Sequence, residues 1–488
     1  MKQLKDILYK VAIEVVKGKT QIPIDDIVFD SRKAKENSVF VAIKGAKMDG
    51  HQYINQALEN KAVAVVCEVL PENLKEEITY VKVEDSKEAL AFMSANFYEN
   101  PSENLKLIGV TGTNGKTTIS SLLYEMFAKA GFKTGLISTV NIKVNELEFP
   151  NNLTTPDSLT INKHINMMSQ KGVEYCFMEV SSHGIDQKRT TGLHFAGGIF
   201  TNLSHDHLDY HPSFSAYRNV KKKFFDELPK SAFAITNIDD KNGQFVLQNT
   251  KAEKNTYALK SAADYTAKIL ESSFQGMLLN INNQEVWTKL IGSFNAYNLL
   301  AIYATADKLG LETIENLKLI SELEAVEGRF EYFVSPKDKI TSIVDYAHTP
   351  DALKNVLQTI NAIRSKNEEL ITVVGCGGDR DKNKRPEMGK IAAQLSDKVI
   401  YTSDNPRTED PEEIIKDIEQ GVEAQYFHKT LSIVNRKEAI KTACVMAKEN
   451  DIILVAGKGH ETYQEIHGKR HHFDDMEIIT DLLIALKK

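Results

Sequence analysis

The stretch VTGTNGKTT, Val110 to Thr118, decides how this chain is read. It follows an apolar run, LKLIGV. It precedes a segment whose apolar residues Ile119, Leu122, Leu123, Met126, Phe127 and Ala130 recur at helical spacing. A strand that turns into a helix leaves backbone N–H groups unpaired at the helix start. Gly112 and Gly115 allow that backbone to close around phosphate oxygens, whose charge the helix dipole favours. Lys116 is placed to reach terminal phosphates, and Thr117 to ligate Mg²⁺. Thr113, Asn114 and Thr118 complete the loop. The strict GxxxxGK[ST] pattern is not met, because Val110 stands in the first glycine's place. The competing reading is an ordinary glycine turn capped by threonine. Strand, loop and helix in direct succession argue against it.

Outward from the loop, YCFMEV, GGIFTNL and AFAITN read as further strands between helical stretches. That alternation predicts a parallel sheet covered on both faces. After about residue 263, AKILESSF and GMLLNIN predict a hairpin, and a helix from about Asn295 closes the segment. Upstream, SVFVAI, AVAVVC and TYVKV alternate with helices. Downstream of about Ser335 the alternation restarts with TSIVDYAH, LITVVGCGG, KVIYTSDN and DIILVAGKGHE. These strands end in polar or glycine-rich residues, where open α/β sheets bind ligands. The expected fold is α/β in three domains around a shared cleft. Residues 1–103 form an N-terminal α/β domain and 104–333 a central P-loop-type, mostly parallel ATPase domain. Residues 334–488 form a C-terminal Rossmann-like α/β domain.

Bulk properties narrow the class. A length of 488 residues suits two to four domains, and 42% hydrophobic with 26% charged residues is ordinary for a soluble globular protein. The net charge of −7 argues against general nucleic-acid binding. Four cysteines, Cys67, Cys176, Cys376 and Cys444, lie far apart with no CxxC spacing. They suggest neither a zinc site nor a disulfide framework, and fit a reducing cytoplasm. The N-terminal segment carries charges throughout and is not read as a signal peptide; no run approaches a membrane span.

TGTNGKTT is close to a signature of the Mur ligase family, ATP-dependent amide-bond-forming enzymes of cell-wall synthesis. EVSSHGIDQKR, TNLSHDHLDYH, GSFNAYNLLAI, EGRFE, VDYAHTPDAL, GCGGDRDKNKRPEMG, SDNPRTEDP and GKGHETYQ agree with that family in order and spacing. The resemblance covers nearly the whole chain. It implies a ligase using ATP and Mg²⁺ to add meso-diaminopimelate to the D-glutamyl γ-carboxylate of UDP-MurNAc-L-Ala-D-Glu, acting as a cytoplasmic monomer on small molecules.

The residues make chemical sense for it. Joining an amine to a carboxylate in water is uphill, and phosphorylation by ATP gives an acyl phosphate that an amine can attack. Glu179 and His207, each following a strand beside the phosphate loop, resemble the family's Mg²⁺ ligands. His183, His205 and His211 are ambiguous, and Asp206 and Asp209 read as local hydrogen-bond acceptors. The run KKK in YRNVKKKFFDEL reads by itself as a solvated helix face. The family's carbamylated lysine falls on Lys221, next to Lys222. Asn295 and Asn298, Arg329 and Asp345 resemble nucleotide contacts; a helix cap for Asn295 and a surface ion pair for Arg329 are the plainer readings. His348 is a candidate for proton transfer by position in its motif alone.

For the substrates, the resemblance puts Ser31 at a uridine-nucleotide site and Thr154, Thr155, Ser181, Gln187 and Arg189 on the muramoyl-dipeptide. Leu153 stands where many members have asparagine. In DNPR, Asp404, Asn405, Pro406 and Arg407 resemble the motif of members that use meso-diaminopimelate; lysine-adding relatives usually lack the arginine. Diaminopimelate has a second carboxylate that a guanidinium binds in a fork, leaving Asp404 and Asn405 for the far ammonium. Arg380, Gly457 and Glu461 match further contacts. A Pro-containing turn is the plain reading of SDNPRTEDP. GCGGDR fails the dinucleotide fingerprint, since Arg380 replaces its third glycine. A nucleotide switch or motor is the rival from another class; no arginine-finger motif supports it.

Overall fold

Strand Lys106–Thr111 lies in the middle of an eleven-stranded sheet, with Tyr175–Glu179 on one side and Phe195–Phe200 on the other, both parallel to it. A computed structural model gives the protein's structure and describes residues 2–45, 48–151, 153–207, 210–365 and 367–488. The sheet continues in parallel through Phe233–Asn237, Glu253–Ala258 and the start of Tyr265–Ser273. The residues of Lys106–Thr111 alternate between two cores. Ile108 and Val110 join Leu122, Phe127 and Leu299 on one face; Leu107 joins Cys176 and Phe224 on the other. Helix Lys116–Lys129, as its apolar spacing predicts, and helix Ser293–Lys308, buried on nearly all sides, supply the first core.

Both edges of this sheet are antiparallel. Tyr265–Ser273 and Gly276–Ile281 form the expected hairpin, joined by Gln284–Thr288. The opposite edge, Asn141–Val144 with Leu147–Pro150, does not stand out in the sequence because its strands are four residues each and partly polar.

The N-terminal sheet has five strands, ordered Ile13–Lys17, Thr79–Val83, Ala64–Cys67, Ser38–Val41 and Asp26–Val28, antiparallel only at the first pair. Lys188 of the central region ties to it through Asp85, at 3.1 Å, and Glu88. The C-terminal sheet has six strands, in the order Glu331–Val334, Thr341–Asp345, Ile452–Ala456, Leu370–Val374, Lys398–Tyr401 and Thr430–Ser432. All its pairs are parallel except the first. The boundary expected at 333/334 falls inside Glu331–Val334, which pairs along its length with Thr341–Asp345. The C-terminal sheet therefore starts at Glu331. Among the described residues, no helix is long and apolar enough to cross a membrane.

Candidate active site

The loop between Lys106–Thr111 and Lys116–Lys129 opens into a cavity of about 660 Å³. Two glycines shape it. Gly115 caps the helix at φ 88°, and a Cβ there would stand 2.6 Å from Asn298 Oδ1. At Gly112 a Cβ would stand 1.8 Å from Thr201 Oγ1. Lys116 Nζ donates to Gly112 O at 3.0 Å and Thr113 O at 2.7 Å. Its burial holds the ammonium pKa below the usual range, opposed by the charges of Glu179 and Asp206. Asn114 N donates to Asn202 Oδ1 at 2.9 Å, and Thr118 lines the same space.

Glu179, at the end of Tyr175–Glu179, is fully buried and receives several donors. Thr117 Oγ1 donates to its Oε2 at 3.0 Å, Thr139 N to Oε1 at 2.7 Å and Thr139 Oγ1 to Oε2 at 3.2 Å. Thr139 was not singled out in the sequence, where nothing distinguishes it from any loop threonine. His207 lines the cavity at φ 56°, its Nε2 3.4 Å from Asp206 Oδ2. Burial pushes the His207 imidazole well below its usual pKa, so it is neutral and able to offer a lone pair. Burial opposes ionisation of Asp206, yet Lys384, with His207 and His348 when these are protonated, holds its carboxyl below the usual range. His183 stacks 4.9 Å from His207 and 5.8 Å from His211, ring centre to ring centre. Asp209 lies outside the described residues.

The three lysines of helix Phe214–Asp226 separate by role. Lys221 is buried, with its Nζ donating to Gly112 O at 2.9 Å, near Thr111 Oγ1 and 4.8 Å from the Tyr217 ring centre. Burial, reinforced by the Lys116 charge, pushes its pKa well below the usual range. Lys222 instead binds Asp226 at 2.7 Å, and Lys223 approaches Glu227 at 3.6 Å. The solvated-face reading thus holds for Lys223 and fails for Lys221, which points at the phosphate loop.

Asn295 and Asn298 both line the cavity, joined by an Asn298 Nδ2 to Asn295 Oδ1 bond at 3.1 Å. Asn295 Nδ2 also donates to Ile291 O. Just ahead of the C-terminal sheet, Arg329 donates to Thr117 Oγ1 at 3.1 Å and lies 4.4 Å over the Tyr346 ring. Asp345 is buried at the end of Thr341–Asp345 and accepts from Phe330 N at 2.7 Å. Burial raises its pKa to about 6 against the opposing Arg329 charge. His348 borders the cavity with Nδ1 2.9 Å from Tyr346 O, and burial lowers its pKa to about 4.

Beside the cavity, Thr154 Oγ1 accepts from Thr139 Oγ1 at 3.1 Å, and Thr155 Oγ1 donates to Glu179 O at 2.9 Å. Ser181 Oγ caps the helix Ser182–Asp186 through Gly184 N. Arg189 donates to Thr155 O and to Gln187 Oε1, which gathers Thr155, Gln187 and Arg189 into one group. Ser31 sits apart in the N-terminal domain, bonded to Gln56 Oε1 at 2.7 Å.

A second group forms where Lys398–Tyr401 and Ile452–Ala456 end. Asp404 and Asn405 are buried; Asn405 Nδ2 donates to Glu461 Oε2 at 2.7 Å. Arg407, at φ 53°, donates through one guanidinium nitrogen to Gly378 O at 2.6 Å, and its Nε lies 3.9 Å from Glu465 Oε2. Pro406 O accepts from Glu409 N, and Gly457 N donates to Asp345 O at 3.0 Å, which links this group to the first. Arg380 is exposed near Gly377. Arg385, buried and not singled out in the sequence, binds Glu409 and Asp417 and donates to Gly377 O, stitching the 377–380 loop to the 404–409 turn.

Among the described residues, no group of three or more His, Cys, Asp or Glu side chains is set to hold a metal ion. The pair Thr117 and Glu179, with His207 lining the same cavity, suits a cation that keeps waters and takes phosphate oxygens.

Three comparisons bear on this arrangement. Family models match residues 23–98 (Mur ligase family, catalytic domain), 110–306 (Mur ligase middle domain) and 328–459 (Mur ligase, glutamate ligase domain). Over 480 residues the chain is 53% identical to the UDP-N-acetylmuramoyl-L-alanyl-D-glutamate–2,6-diaminopimelate ligase of Phocaeicola vulgatus, covering 98% of this chain and 99% of that protein. It is 51% identical over 487 residues to the protein of that name from Cytophaga hutchinsonii, covering 100% of each. A solved structure of a ligase of the same name aligns at TM-score 0.69 and 32% identity, covering 100% of this chain and 99% of that one. The MurF ligase of Thermotoga maritima, solved with ADP, shares the fold at TM-score 0.64 and 19% identity, covering 94% and 96%. With all three family domains in order along its length, this chain belongs to the Mur ligase family.

Proposed function

We propose that this chain uses ATP to join meso-diaminopimelate to the D-glutamyl γ-carboxylate of UDP-MurNAc-L-Ala-D-Glu, a step in peptidoglycan precursor synthesis. The observation that carries the reading is one phosphate-loop cavity lined by Lys116, Glu179, Arg329 and Asp345, with buried Lys221 bonded to Gly112 O of the same loop. The whole-length similarity to ligases of that name supports it.

The loop amides and Lys116 bind the triphosphate and take up charge that develops as the terminal group moves. A γ-carboxylate oxygen attacks the γ-phosphorus, ADP leaves, and an acyl phosphate forms. The amine nitrogen then attacks the acyl carbon, inorganic phosphate departs, and the nitrogen loses a proton. Thr117, Glu179 and His207 would hold Mg²⁺, which would supply positive charge between triphosphate and carboxylate. Burial and the Lys116 charge favour the neutral amine of Lys221, the form that adds CO₂. Its N6-carboxylate is then an anion beside the same loop. Arg189, with Gln187 and Thr155, suits the carboxylates of the dipeptide, and Ser31 the uridine nucleotide. Arg407, with Arg380 nearby, binds the far carboxylate of diaminopimelate, and the Asp404–Glu461 group its ammonium.

The protein acts as a monomer in the cytoplasm, where ATP is supplied and its four buried thiols stay reduced. Incubation with ATP, the UDP-linked dipeptide and single diamino acids, with mass detection of the product, tests the reading. A tripeptide product with diaminopimelate supports it; ADP release without any acceptor points instead to a nucleotide switch.

A further inference from the structure

The amine-donor group contains a lysine, within GKGHETYQ, to which the sequence assigned no role. Lys458 follows strand Ile452–Ala456 and is 0% exposed. Its Nζ donates to Asn405 Oδ1 at 3.1 Å and to Glu461 Oε2 at 3.4 Å, and lies 3.5 Å from Asp404 Oδ1. All three of its neighbours belong to the group that receives the ligand's ammonium. We propose that Lys458 is a positioning residue for the amine donor: it fixes Asn405 and Glu461 and offsets one of the two carboxylates.

Asn405 has no free acceptor to give a ligand. Its Oδ1 accepts from Lys458 Nζ and from Glu465 N at 2.8 Å, while its Nδ2 donates to Glu461 Oε2 at 2.7 Å. It therefore transmits the lysine's position to Glu461. Reading of the ammonium falls to Asp404 and Glu461. Burial and the Asp404 charge push the Glu461 carboxyl up, and Lys458, 3.4 Å from Glu461 Oε2 and 3.5 Å from Asp404 Oδ1, opposes that shift. Lys458 faces Asp404 and Glu461, while Arg407 Nε lies 3.9 Å from Glu465 Oε2, so each cation of the group stands beside carboxylates. Arg436 lies behind, and its charge is met by Asp475 in a two-bond pair at 2.8 and 2.7 Å.

The inference rests on the donor assignment of the preceding subsection, so wild-type addition of diaminopimelate is the control. If the wild type makes no tripeptide, that assignment fails before Lys458 is at issue. Given that activity, Lys458→Met is expected to raise KM for diaminopimelate about 10- to 100-fold, the loss of charge-assisted hydrogen bonds. KM for ATP and for the UDP-linked dipeptide stays within about twofold, and kcat falls far less than KM rises. Lys458→Gln, which keeps a donor without the charge, gives a smaller rise and serves if the methionine variant does not fold. Glu461→Gln alone also raises KM. Combined with Lys458→Gln it loses less than the product of the single losses, because each change relieves the imbalance left by the other. An unchanged KM for diaminopimelate, equal rises in all three KM values, or multiplicative losses in the double variant would overturn the proposal.

Discussion

Arg329, just ahead of the C-terminal sheet, donates to Thr117 Oγ1 at 3.1 Å, and that hydroxyl donates to Glu179 Oε2 at 3.0 Å. One threonine thus joins a guanidinium at the entry to the C-terminal sheet to the buried carboxylate of the central sheet. Arg329→Ala removes the link and the cation over Tyr346. The expected result is a fall in kcat/KM for ATP of about 100-fold, the scale for a positioned charged donor. The melting temperature should change little, and steady-state kinetics with calorimetry separates the two effects.

Lys221 and Lys222 are adjacent, yet only Lys221 reaches the phosphate loop. Lys221→Ala is expected to lose about 100-fold or more in kcat, while Lys222→Ala keeps most activity and loses a buried lysine's ion pair with Asp226. Carbon-13 NMR of enzyme held under labelled CO₂ should show a carbamate signal in the wild type and in Lys222→Ala, and none in Lys221→Ala.

Arg407→Ala is expected to raise KM for diaminopimelate about 100-fold, with lysine far less affected, since only diaminopimelate brings a second carboxylate. Competition between the two amino acids, read by product mass, measures the ratio. Equal weakening of both would remove Arg407 from the specificity role.

Asp345 links stability to pH with a definite sign. Burial raises its pKa to about 6, so the folded state holds the proton more tightly than the unfolded chain. The stability it contributes is present below about pH 4 and is lost as pH rises through about 6. Asp345→Asn should therefore unfold at higher temperature than wild type at pH 8, by at most about 3 kcal/mol. The advantage should shrink toward pH 5. The same variant is expected to bind ATP more weakly, because an amide offers the ribose no carboxylate. Thermal melts across pH and nucleotide titrations check both halves.

The central parallel strands were legible because each is a short apolar run ending in polar residues, and the phosphate loop because glycine, lysine and threonine have fixed jobs there. The antiparallel edge Asn141–Val144 with Leu147–Pro150 was not, since its short strands carry charge on an open edge. Helix Thr313–Glu322 also passed unread, directly after a longer helix. Within the site, Glu179 and Lys221 stood out only through the family's motif, and the fold brings both to Gly112 and Thr117. Thr139, Arg385 and Lys458 act through partners distant in the chain or through burial. Neither is written in local spacing.

The central claim is that the phosphate loop delivers the terminal phosphoryl group of ATP to a substrate carboxylate. The direct test labels the D-glutamyl γ-carboxylate of the UDP-linked dipeptide with oxygen-18 and follows the inorganic phosphate formed during turnover by mass. One labelled oxygen is expected in the phosphate for each amide formed. Phosphate free of label alongside labelled amide product would contradict it.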